Sequence, residues 1–586
     1  MGELIFSQYQ SKRLVFYLFF FLISFVGIGC QSQAVKIADL EQSSEAMVVS
    51  ADALATNAGI EILKKGGNAI DAAVATTFAI SVVEPFSAGI GGGGFLLVGF
   101  PPNDTDSAYN IRALDFRERA PIAATRDMYL DDAGEVKPRA SLDGHLAAGV
   151  PGTVAGLYTV HRYFGQLPWK QVVEPSIRLA EEGFTVGDYF IKSVERRQAV
   201  INNNPAARAI FTKDGAMYQP GEVLKQQDLA NTLKIIAEDP QQFYTGEIAN
   251  AIATDMKANG GLMTTEDLAA YTPIWREPIC GTFQQARVCS MPPPSSGGVH
   301  LLQILSLIED TDLNQWGHNS PDTLHLLTEA MRIAYADRAE YLGDPDFVEV
   351  PVQALTSPNY LNAQRQQIDL KKARSSDSVK PLDEATLNRY LWESPETSHL
   401  TVVDGDRNVV SLTFTVNGGF GAGVVTAGTG ILLNNEMDDF AVAPGVPNLF
   451  GLVGGEANAI APFKTPLSSM TPTIVTQNSK LIMAAGSPGG STIITTVLQL
   501  VLNILEFNMN AAEAVSAPRI HHQWLPDNLI VEKGRLDPQT LETLKQRGHQ
   551  LRLWEGWGNA NLIRVTSEGT LEGAADPRRS GTAQGL

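Results

Sequence analysis

The chain has little cysteine and no basic block. Only three cysteines occur in 586 residues, and 64 acidic against 44 basic side chains give a formal net charge of -20. Because no run of lysine and arginine occurs downstream of the N-terminus, a nucleic-acid partner is not expected. The hydrophobic content of 44% is that of a globular protein with ample core, in one large unit or several.

Long apolar runs are also scarce, apart from residues 14–28. This run is about 15 residues long and follows Lys12 and Arg13, so it is short for a membrane span but typical of a signal-peptide core. We therefore expect an exported protein with a signal peptide at residues 1–29, located in the periplasm or held on a membrane. The residues before Cys30 resemble a lipoprotein processing box, although Gly27 replaces the usual leucine. Lipid attachment at Cys30 and simple cleavage both remain open.

The other two cysteines, Cys280 and Cys289, flank eight residues that suit a hairpin. In an oxidising compartment this spacing favours a disulfide, and two unpaired thiols are the alternative. Without a nearby histidine the pair makes a weak metal site, so no metal is predicted.

The glycines of residues 89–94 formally match a dinucleotide-binding pattern. That pattern needs a strand, the glycines and then a helix, whereas here a helix precedes the glycines and a strand follows them. We interpret the segment as a tight packing turn, and no cofactor is predicted.

Helical and strand patterns divide the chain. Helical patterns dominate residues 51–83 and much of 152–342, whereas short β-rich runs begin at Leu400. The predicted strands are residues 400–403, 409–416, 430–433, 473–475 and 481–485, followed by helices at 493–506 and 511–515. Strands flanked by helices on both ends predict sheets sandwiched between helical layers.

Thr397 lies between a polar stretch and the first of these strands. Cutting the bond after Glu396 would give Thr397 both a nucleophilic hydroxyl and an α-amine, whose pKa of about 7.7–8.0 suits a base. The alternative is an ordinary threonine at the start of a strand.

Two further motifs could serve such chemistry. Residues 486–491 (GSPGGS) form a turn before a helix, where backbone amides could stabilise an oxyanion or simply allow close packing. Residues 434–440 (NNEMDDF) lack the spacing of a calcium loop and form either an ammonium-binding clamp or a solvated acidic loop.

Taken together, the motifs resemble the γ-glutamyltranspeptidase family. They are, in order, 114–118 (LDFRE), 149–153 (GVPGT), 291–298, 396–399 (ETSH), 413–417 (TFTVN), 434–440, 466–470 (PLSSM) and 486–491. The resemblance implies an α/β N-terminal-nucleophile hydrolase with a four-layer αββα sandwich, made as a precursor that cuts itself between Glu396 and Thr397. It also implies a heterodimer of a large subunit, residues 30–396, and a small catalytic subunit, residues 397–586.

The resemblance assigns roles to individual residues. Thr397 would form a γ-glutamyl ester with glutathione or another γ-glutamyl compound and pass the group to water, an amino acid or a peptide. Thr415 would orient the Thr397 hydroxyl. The oxyanion would be stabilised by the amides of Gly489 and Gly490. The substrate carboxylate would be bound by Arg117, Ser468 and Ser469, and the substrate amine by Asn417, Glu436 and Asp439.

Residues 444–450 resemble the lid loop of bacterial members, with Phe450 where tyrosine is frequent. A looser lid and a changed ratio of hydrolysis to transfer are expected, unless aromatic packing alone closes the lid. Two alternatives compete with the main interpretation: a related acylase for glutaryl-cephalosporin-type amides, and a non-enzymatic exported lipoprotein with the same fold.

Overall fold

Two seven-stranded antiparallel sheets lie at the centre of the molecule. The computed structural model describes residues 36–103, 108–379, 396–443 and 445–586, and residues 37–586 form one compact unit. The predicted signal peptide and Cys30 lie outside the described residues.

The strands, in chain order, are β1 (Glu41–Ser43), β2 (Met47–Ser50), β3 (Gly93–Phe100), β4 (Asn110–Phe116), β5 (Phe184–Thr185), β6 (Val223–Leu224), β7 (Ile274–Arg276), β8 (Ile279–Phe283), β9 (Ala286–Ser290), β10 (Ser398–Val403), β11 (Val409–Thr415), β12 (Thr473–Gln477), β13 (Lys480–Gly486), β14 (Ile520–His521), β15 (Leu529–Glu532), β16 (Leu551–Trp554), β17 (Asn561–Val565), β18 (Leu571–Ala575) and β19 (Thr582–Gly585).

The described helices are α1 (Ala53–Lys64), α2 (Ala69–Val83), α3 (Thr153–Phe164), α4 (Trp169–Glu182), α5 (Asp188–Asn203), α6 (Pro205–Phe211), α7 (Gln227–Glu238), α8 (Gln242–Thr245), α9 (Glu247–Ala258), α10 (Thr265–Ala270), α11 (Gly297–Ile308), α12 (Leu313–Trp316), α13 (Pro321–Tyr341), α14 (Val352–Leu355), α15 (Pro358–Arg365), α16 (Ile493–Leu505), α17 (Ala511–Ser516) and α18 (Pro538–Gln546).

The sheets and helices form four layers. One sheet has the order β19-β2-β10-β11-β3-β4-β7 and the other β1-β18-β17-β13-β12-β9-β8. Successive residues of a strand face opposite sides, so Leu96 and Val98 join the core under α1 and α2, whereas Phe95 and Leu97 join the core shared with the second sheet. Helices α11, α13 and α16 pack in that second core. The predicted αββα sandwich is confirmed.

Most predicted elements form within a few residues of the expected bounds. The predicted strand at residues 430–433 does not form, because Gly428 and Gly430 adopt φ angles of 74° and 68° and turn the chain. Leu432 and Leu433 make only isolated bridges, to Val425 and Gly91.

The predicted subunits interleave in both sheets. β10 and β11 follow Thr397 and lie between β2 and β3, which belong to the first part of the chain. In the other sheet β12 pairs with β9, and β18 pairs with β1. A cut before Thr397 would therefore leave backbone hydrogen bonds joining the two pieces.

Cys280 and Cys289 face each other across the β8–β9 hairpin and form a disulfide. Gln284 and Gln285 make the turn with φ angles of 50° and 63°, a conformation that suits a two-residue hairpin loop.

Among the residues described, no helix has the length and apolar character needed to cross a membrane.

Candidate active site

Thr397 immediately precedes β10, a central strand of its sheet. The side chain of Thr397 is buried. Its hydroxyl lies 2.7 Å from the carbonyl oxygen of Glu396, to which it donates. The hydroxyl is therefore held against the peptide bond that the sequence predicts to be cut.

Thr415 lies beside Thr397 because of the register between β10 and β11, which pairs Ser398 with Phe414. The two hydroxyl oxygens are 3.2 Å apart, and the Thr415 hydroxyl also donates to the Glu396 carbonyl at 3.1 Å. The backbone amide of Asn417 donates to Thr415 Oγ1 at 2.8 Å. Thr415 can therefore orient the nucleophile and polarise the same carbonyl.

A cavity opens beside Thr397. It is lined by Arg117, Arg338, Thr397, Thr415, Asn417, Glu436, Asp439, Phe450, Leu452, Ser468, Ser469, Met470, Gly490 and Ile493. We call it the donor cavity. Its volume of about 20 Å³ is close to that of one water molecule, so a γ-glutamyl group can enter only if the lining moves.

Arg117 joins the two acidic residues of the predicted amine clamp. Its guanidinium lies 2.6 Å from Glu436 and 2.5 Å from Asp439, and its Nε donates to the Pro466 carbonyl at 2.8 Å. All three side chains are buried. The groups predicted to bind the two charges of the substrate thus neutralise each other in this structure, and their roles towards substrate stay predictions.

Burial dominates the ionisation of this cluster. Desolvation raises the pKa of Glu118 to about 8, even though Arg117 opposes the shift. Burial and the neighbouring Glu118 also raise the pKa of Glu436 well above its ordinary value, and burial raises that of Asp439. Burial opposes the charge on Arg117, but Glu436, Asp439 and Glu118 raise its pKa overall.

Arg338, on α13, is a site residue that the sequence analysis missed. Its Nη2 donates to Ser469 Oγ at 3.4 Å and its Nε to Ser296 Oγ at 3.1 Å. Burial lowers the pKa of Arg338 to about 10, so its charge is held with little compensation. The only sequence signal was an arginine on a long, mostly buried helix, which does not separate binding from an ion pair.

Ser468 and Ser469 line the cavity because the proline-rich loop before α11 supports their backbone. The amide of Ser468 donates to the Pro294 carbonyl, and the amide and hydroxyl of Ser296 donate to the Ser468 carbonyl. Ser468 Oγ accepts from the amide of Met470 at 3.0 Å. The two predicted carboxylate donors are therefore held on a fixed loop beside Arg338.

Gly489 and Gly490 connect β13 to α16 with φ angles of 141° and 54°. A Cβ built on Gly490 would lie 2.4 Å from Phe450 Cδ1, so glycine is required for both backbone conformation and lid packing. Gly490 lines the donor cavity, whereas the Gly489 carbonyl accepts from Thr492. Their role as oxyanion donors stays a prediction.

Polar contacts hold the described part of the lid loop without a tyrosine hydroxyl. Asn448 Nδ2 donates to Asp439 Oδ1 at 2.9 Å, and the Leu449 amide donates to Asp438 at 2.7 Å. Gln523 Nε2 lies 3.2 Å from the Phe450 carbonyl. The lid is thus tied directly to an acid of the donor cavity.

Asn417 lines the cavity and donates through Nδ2 to the Asn435 carbonyl at 3.0 Å. Its φ of 72° is one that asparagine tolerates better than most residues.

Within the described ranges, no group of three or more His, Cys, Asp or Glu side chains could hold a metal ion.

Comparison with known proteins gives a consistent result. The model of the family "Gamma-glutamyltranspeptidase" matches residues 55–586. A glutathione hydrolase proenzyme of Escherichia coli is 49% identical over 539 residues, covering 92% of this chain and 91% of the relative.

Solved structures agree in fold. A cephalosporin acylase from Bacillus halodurans superposes with a TM-score of 0.81 at 29% identity, covering 94% of this chain and 97% of that one. A Helicobacter pylori γ-glutamyltranspeptidase gives a TM-score of 0.55 at 40% identity, over 60% of this chain and 98% of that one.

Proposed function

The chain belongs to the γ-glutamyltranspeptidase family, and from that membership we propose that it is a self-processing glutathione hydrolase and γ-glutamyltransferase. It cleaves γ-glutamyl amides through an ester on Thr397 and passes the γ-glutamyl group to water or to amino acids and peptides. The observation that carries the proposal is the Thr397 hydroxyl, held by Thr415 at the edge of a cavity with a buried, charge-paired lining.

Maturation uses the same hydroxyl. Thr397 Oγ1 attacks the carbonyl carbon of Glu396, the C–N bond breaks, and the acyl group moves from nitrogen to oxygen while the nitrogen takes up a proton. Water then hydrolyses the ester and gives a carboxylate on Glu396, a free hydroxyl and a free α-amine on Thr397. The Thr415 hydroxyl, 3.1 Å from the Glu396 carbonyl oxygen, supports this step by stabilising developing negative charge.

Turnover repeats the attack on a substrate amide. The Thr397 α-amine accepts the hydroxyl proton, the oxygen attacks the γ-carbonyl, and the leaving amine takes the proton as the C–N bond breaks. We assign the oxyanion to the amides of Gly489 and Gly490, where loss of one donor typically costs about 2.7–4 kcal/mol. Water or an acceptor amine then attacks the ester.

The charges of the donor cavity favour a zwitterionic substrate end. Arg117 already pairs with Glu436 and Asp439, and Arg338 lies next to Ser469. An α-amine and an α-carboxylate that enter together can exchange partners with these groups and leave the net charge unchanged. A glutaryl group would add one unbalanced buried charge, which is costly.

The experiment compares the γ-glutamyl and glutaryl p-nitroanilides on purified protein. We expect turnover of the first at least about 100-fold above the second, since one unpaired buried charge costs several kcal/mol. Preference for the glutaryl compound would favour the acylase alternative. A single intact band on a denaturing gel together with no turnover would favour the non-enzymatic alternative.

We also propose export and anchoring through a lipid on Cys30, on the sequence evidence of the apolar run and the residues before this cysteine. Metabolic labelling with a fatty acid, followed by membrane fractionation, tests the proposal. Wild-type protein should carry label and sediment with membranes, and Cys30→Ser should do neither. Unlabelled, freely released wild-type protein would contradict lipid attachment.

A further inference from the structure

The side chain of Glu396 lies in a buried recess that the donor cavity does not include. Tyr189 donates its hydroxyl to both carboxylate oxygens, at 2.9 and 3.2 Å. Arg579 Nη1 lies 2.9 Å from the carboxylate, and Arg196 Nη1 lies 3.6 Å from it. The Glu396 side chain is only 2% exposed. We call these groups the Glu396 recess.

The parts of the recess support one another. The Arg579 guanidinium lies 4.6 Å from the centre of the Tyr189 ring, and that of Arg196 lies 5.7 Å from it. Burial opposes the charge of Arg579, but Glu396 and its neighbours raise the pKa of this arginine overall. A buried, charge-assisted contact of this kind holds a side chain far more firmly than an exposed pair does.

A second buried carboxyl, that of Glu84, adds to the negative charge that Arg579 offsets. Burial raises the pKa of Glu84 to about 7, with Glu396 adding to the shift and Arg579 opposing it. Glu84 also accepts from the hydroxyl of Ser398, the residue after the nucleophile, at 3.2 Å. Without Arg579, the buried carboxylate of Glu396 would have, among the described residues, only Tyr189 and the half-exposed Arg196 to offset its repulsion with Glu84.

Anchoring this side chain fixes the carbonyl of the same residue. That carbonyl oxygen is the atom to which Thr397 and Thr415 both donate, at 2.7 and 3.1 Å. A freely rotating Glu396 would lose this alignment, and small misplacements cost rate steeply. The recess groups do not line the donor cavity, so a γ-glutamyl substrate has no need of them.

We propose that Arg579, with Tyr189, is a positioning residue for the maturation cut, acting through the side chain of Glu396 and taking no part in turnover of γ-glutamyl substrates. The proposal rests on the self-cleavage described under the proposed function. It adds that this chain recognises the residue before its own cleavage site.

The test follows the cut directly. Full-length chain is made by cell-free synthesis, and the intact and cut forms are resolved over time on denaturing gels. We expect Arg579→Gln to slow the cut about 10- to 100-fold, because this factor corresponds to the usual free energy of a hydrogen bond to a charged group. Arg579→Lys should recover part of the rate. Arg564→Gln, which removes a partly buried pair with Glu572, is the matched control and should cut at the wild-type rate.

A double-mutant cycle shows whether Arg579 acts through Glu396. Glu396→Gln keeps the size of the side chain and removes its charge, so it should slow the cut, and adding Arg579→Gln should then change the rate less than twofold. Once the Arg579→Gln protein has been cut completely, its kcat/KM for γ-glutamyl p-nitroanilide should lie within about twofold of the wild-type value.

Three results would overturn the proposal: a wild-type rate of cutting in Arg579→Gln, additive effects in the double variant, or an equal fall in kcat/KM of cut material. If Arg579→Gln does not fold, the rate of the maturation cut is measured in Glu396→Gln and Tyr189→Phe instead. A wild-type rate of cutting in both variants would overturn the proposal. Failure of the wild-type chain to cut or turn over would instead refute the proposed function.

Discussion

The donor cavity and the Glu396 recess each contain a buried arginine close to the predicted cleavage site, and they differ in what that arginine binds. In the donor cavity Arg117 pairs with Glu436 and Asp439, two acids that can exchange it for substrate charges. In the Glu396 recess Arg579 binds the residue before the nucleophile. The first arrangement can be used in every catalytic cycle. The second is occupied by the chain itself and can serve only the single cut that creates the enzyme.

Thr397→Ala should remove both activities, because both use one hydroxyl. We expect one uncut chain on a denaturing gel and a fall in γ-glutamyl p-nitroanilide turnover of at least about 10⁴-fold. Thr397→Ser keeps a hydroxyl and is the control, which should retain cutting and turnover. Cutting in the alanine variant would separate the two activities and contradict a shared nucleophile.

Arg117→Gln should separate the activities in the direction opposite to Arg579→Gln. Loss of one partner of a buried pair leaves uncompensated charge, so kcat/KM should fall about 10²- to 10³-fold while the rate of the cut stays within about threefold. Gel time courses and anilide kinetics on the same preparations measure both. Equal losses in cutting and turnover would mean that the two places are not independent.

Arg338→Gln should give a smaller effect on the donor cavity. This arginine contacts Ser469 and, within the described part of the chain, makes no close acid pair like those of Arg117. Its loss should therefore raise KM for the donor about 10-fold and change kcat little. Steady-state kinetics test this expectation. A fall in kcat at constant KM would show that Arg338 acts on the transition state instead.

The lid offers a matched pair of substitutions. Asn448→Ala removes the contact to Asp439, so we expect a change of about threefold or more in the ratio of transfer to hydrolysis. Phe450→Tyr adds the hydroxyl found in many bacterial members and should change the ratio less, since Asn448 and Gln523 already hold the loop. Product analysis with glycylglycine as acceptor measures the ratio. A larger effect from Phe450→Tyr would show that the missing hydroxyl is the main determinant.

The smallest expected effect concerns pH and Glu118. Its pKa is raised to about 8 in the folded chain, so between about pH 4.5 and pH 8 the folded state keeps a proton that the unfolded state has lost. The free energy of unfolding therefore falls as pH rises through this window. In the uncut Thr397→Ala background, Glu118→Gln should gain thermal stability over its parent from pH 5 to pH 8. A constant difference in Tm would contradict a raised pKa.

Sequence reasoning predicted the layers from local patterns, and it predicted most of the donor cavity from the resemblance to the γ-glutamyltranspeptidase family. Alternation of hydrophobic and polar residues at 410–416 indicated a strand, which the structure buries on both faces. The family resemblance assigned Arg117, Glu436, Asp439, Ser468 and Ser469 to substrate binding, and in the structure they line one cavity. The pairing of Arg117 with the two acids was not predicted, because the sequence assigned each group a separate substrate charge.

The Glu396 recess could not be predicted in the same way. Tyr189 and Glu396 are 207 positions apart, and Arg579 comes 183 positions after Glu396. Neither Arg579 nor Tyr189 stands out in its local sequence. Only the tertiary fold brings α5, which carries Tyr189, and the C-terminal segment, which carries Arg579, to the side chain of Glu396. Arg338 was missed for a related reason, since a buried arginine on a helix usually indicates an ion pair.

The most direct measurement is intact mass and terminal sequencing of the purified protein, before and after brief reaction with a γ-glutamyl donor. The account predicts two fragments, of which one begins at Thr397 and gains the mass of a single γ-glutamyl group on that residue. One uncut chain, or a γ-glutamyl group attached to any other residue, would contradict it.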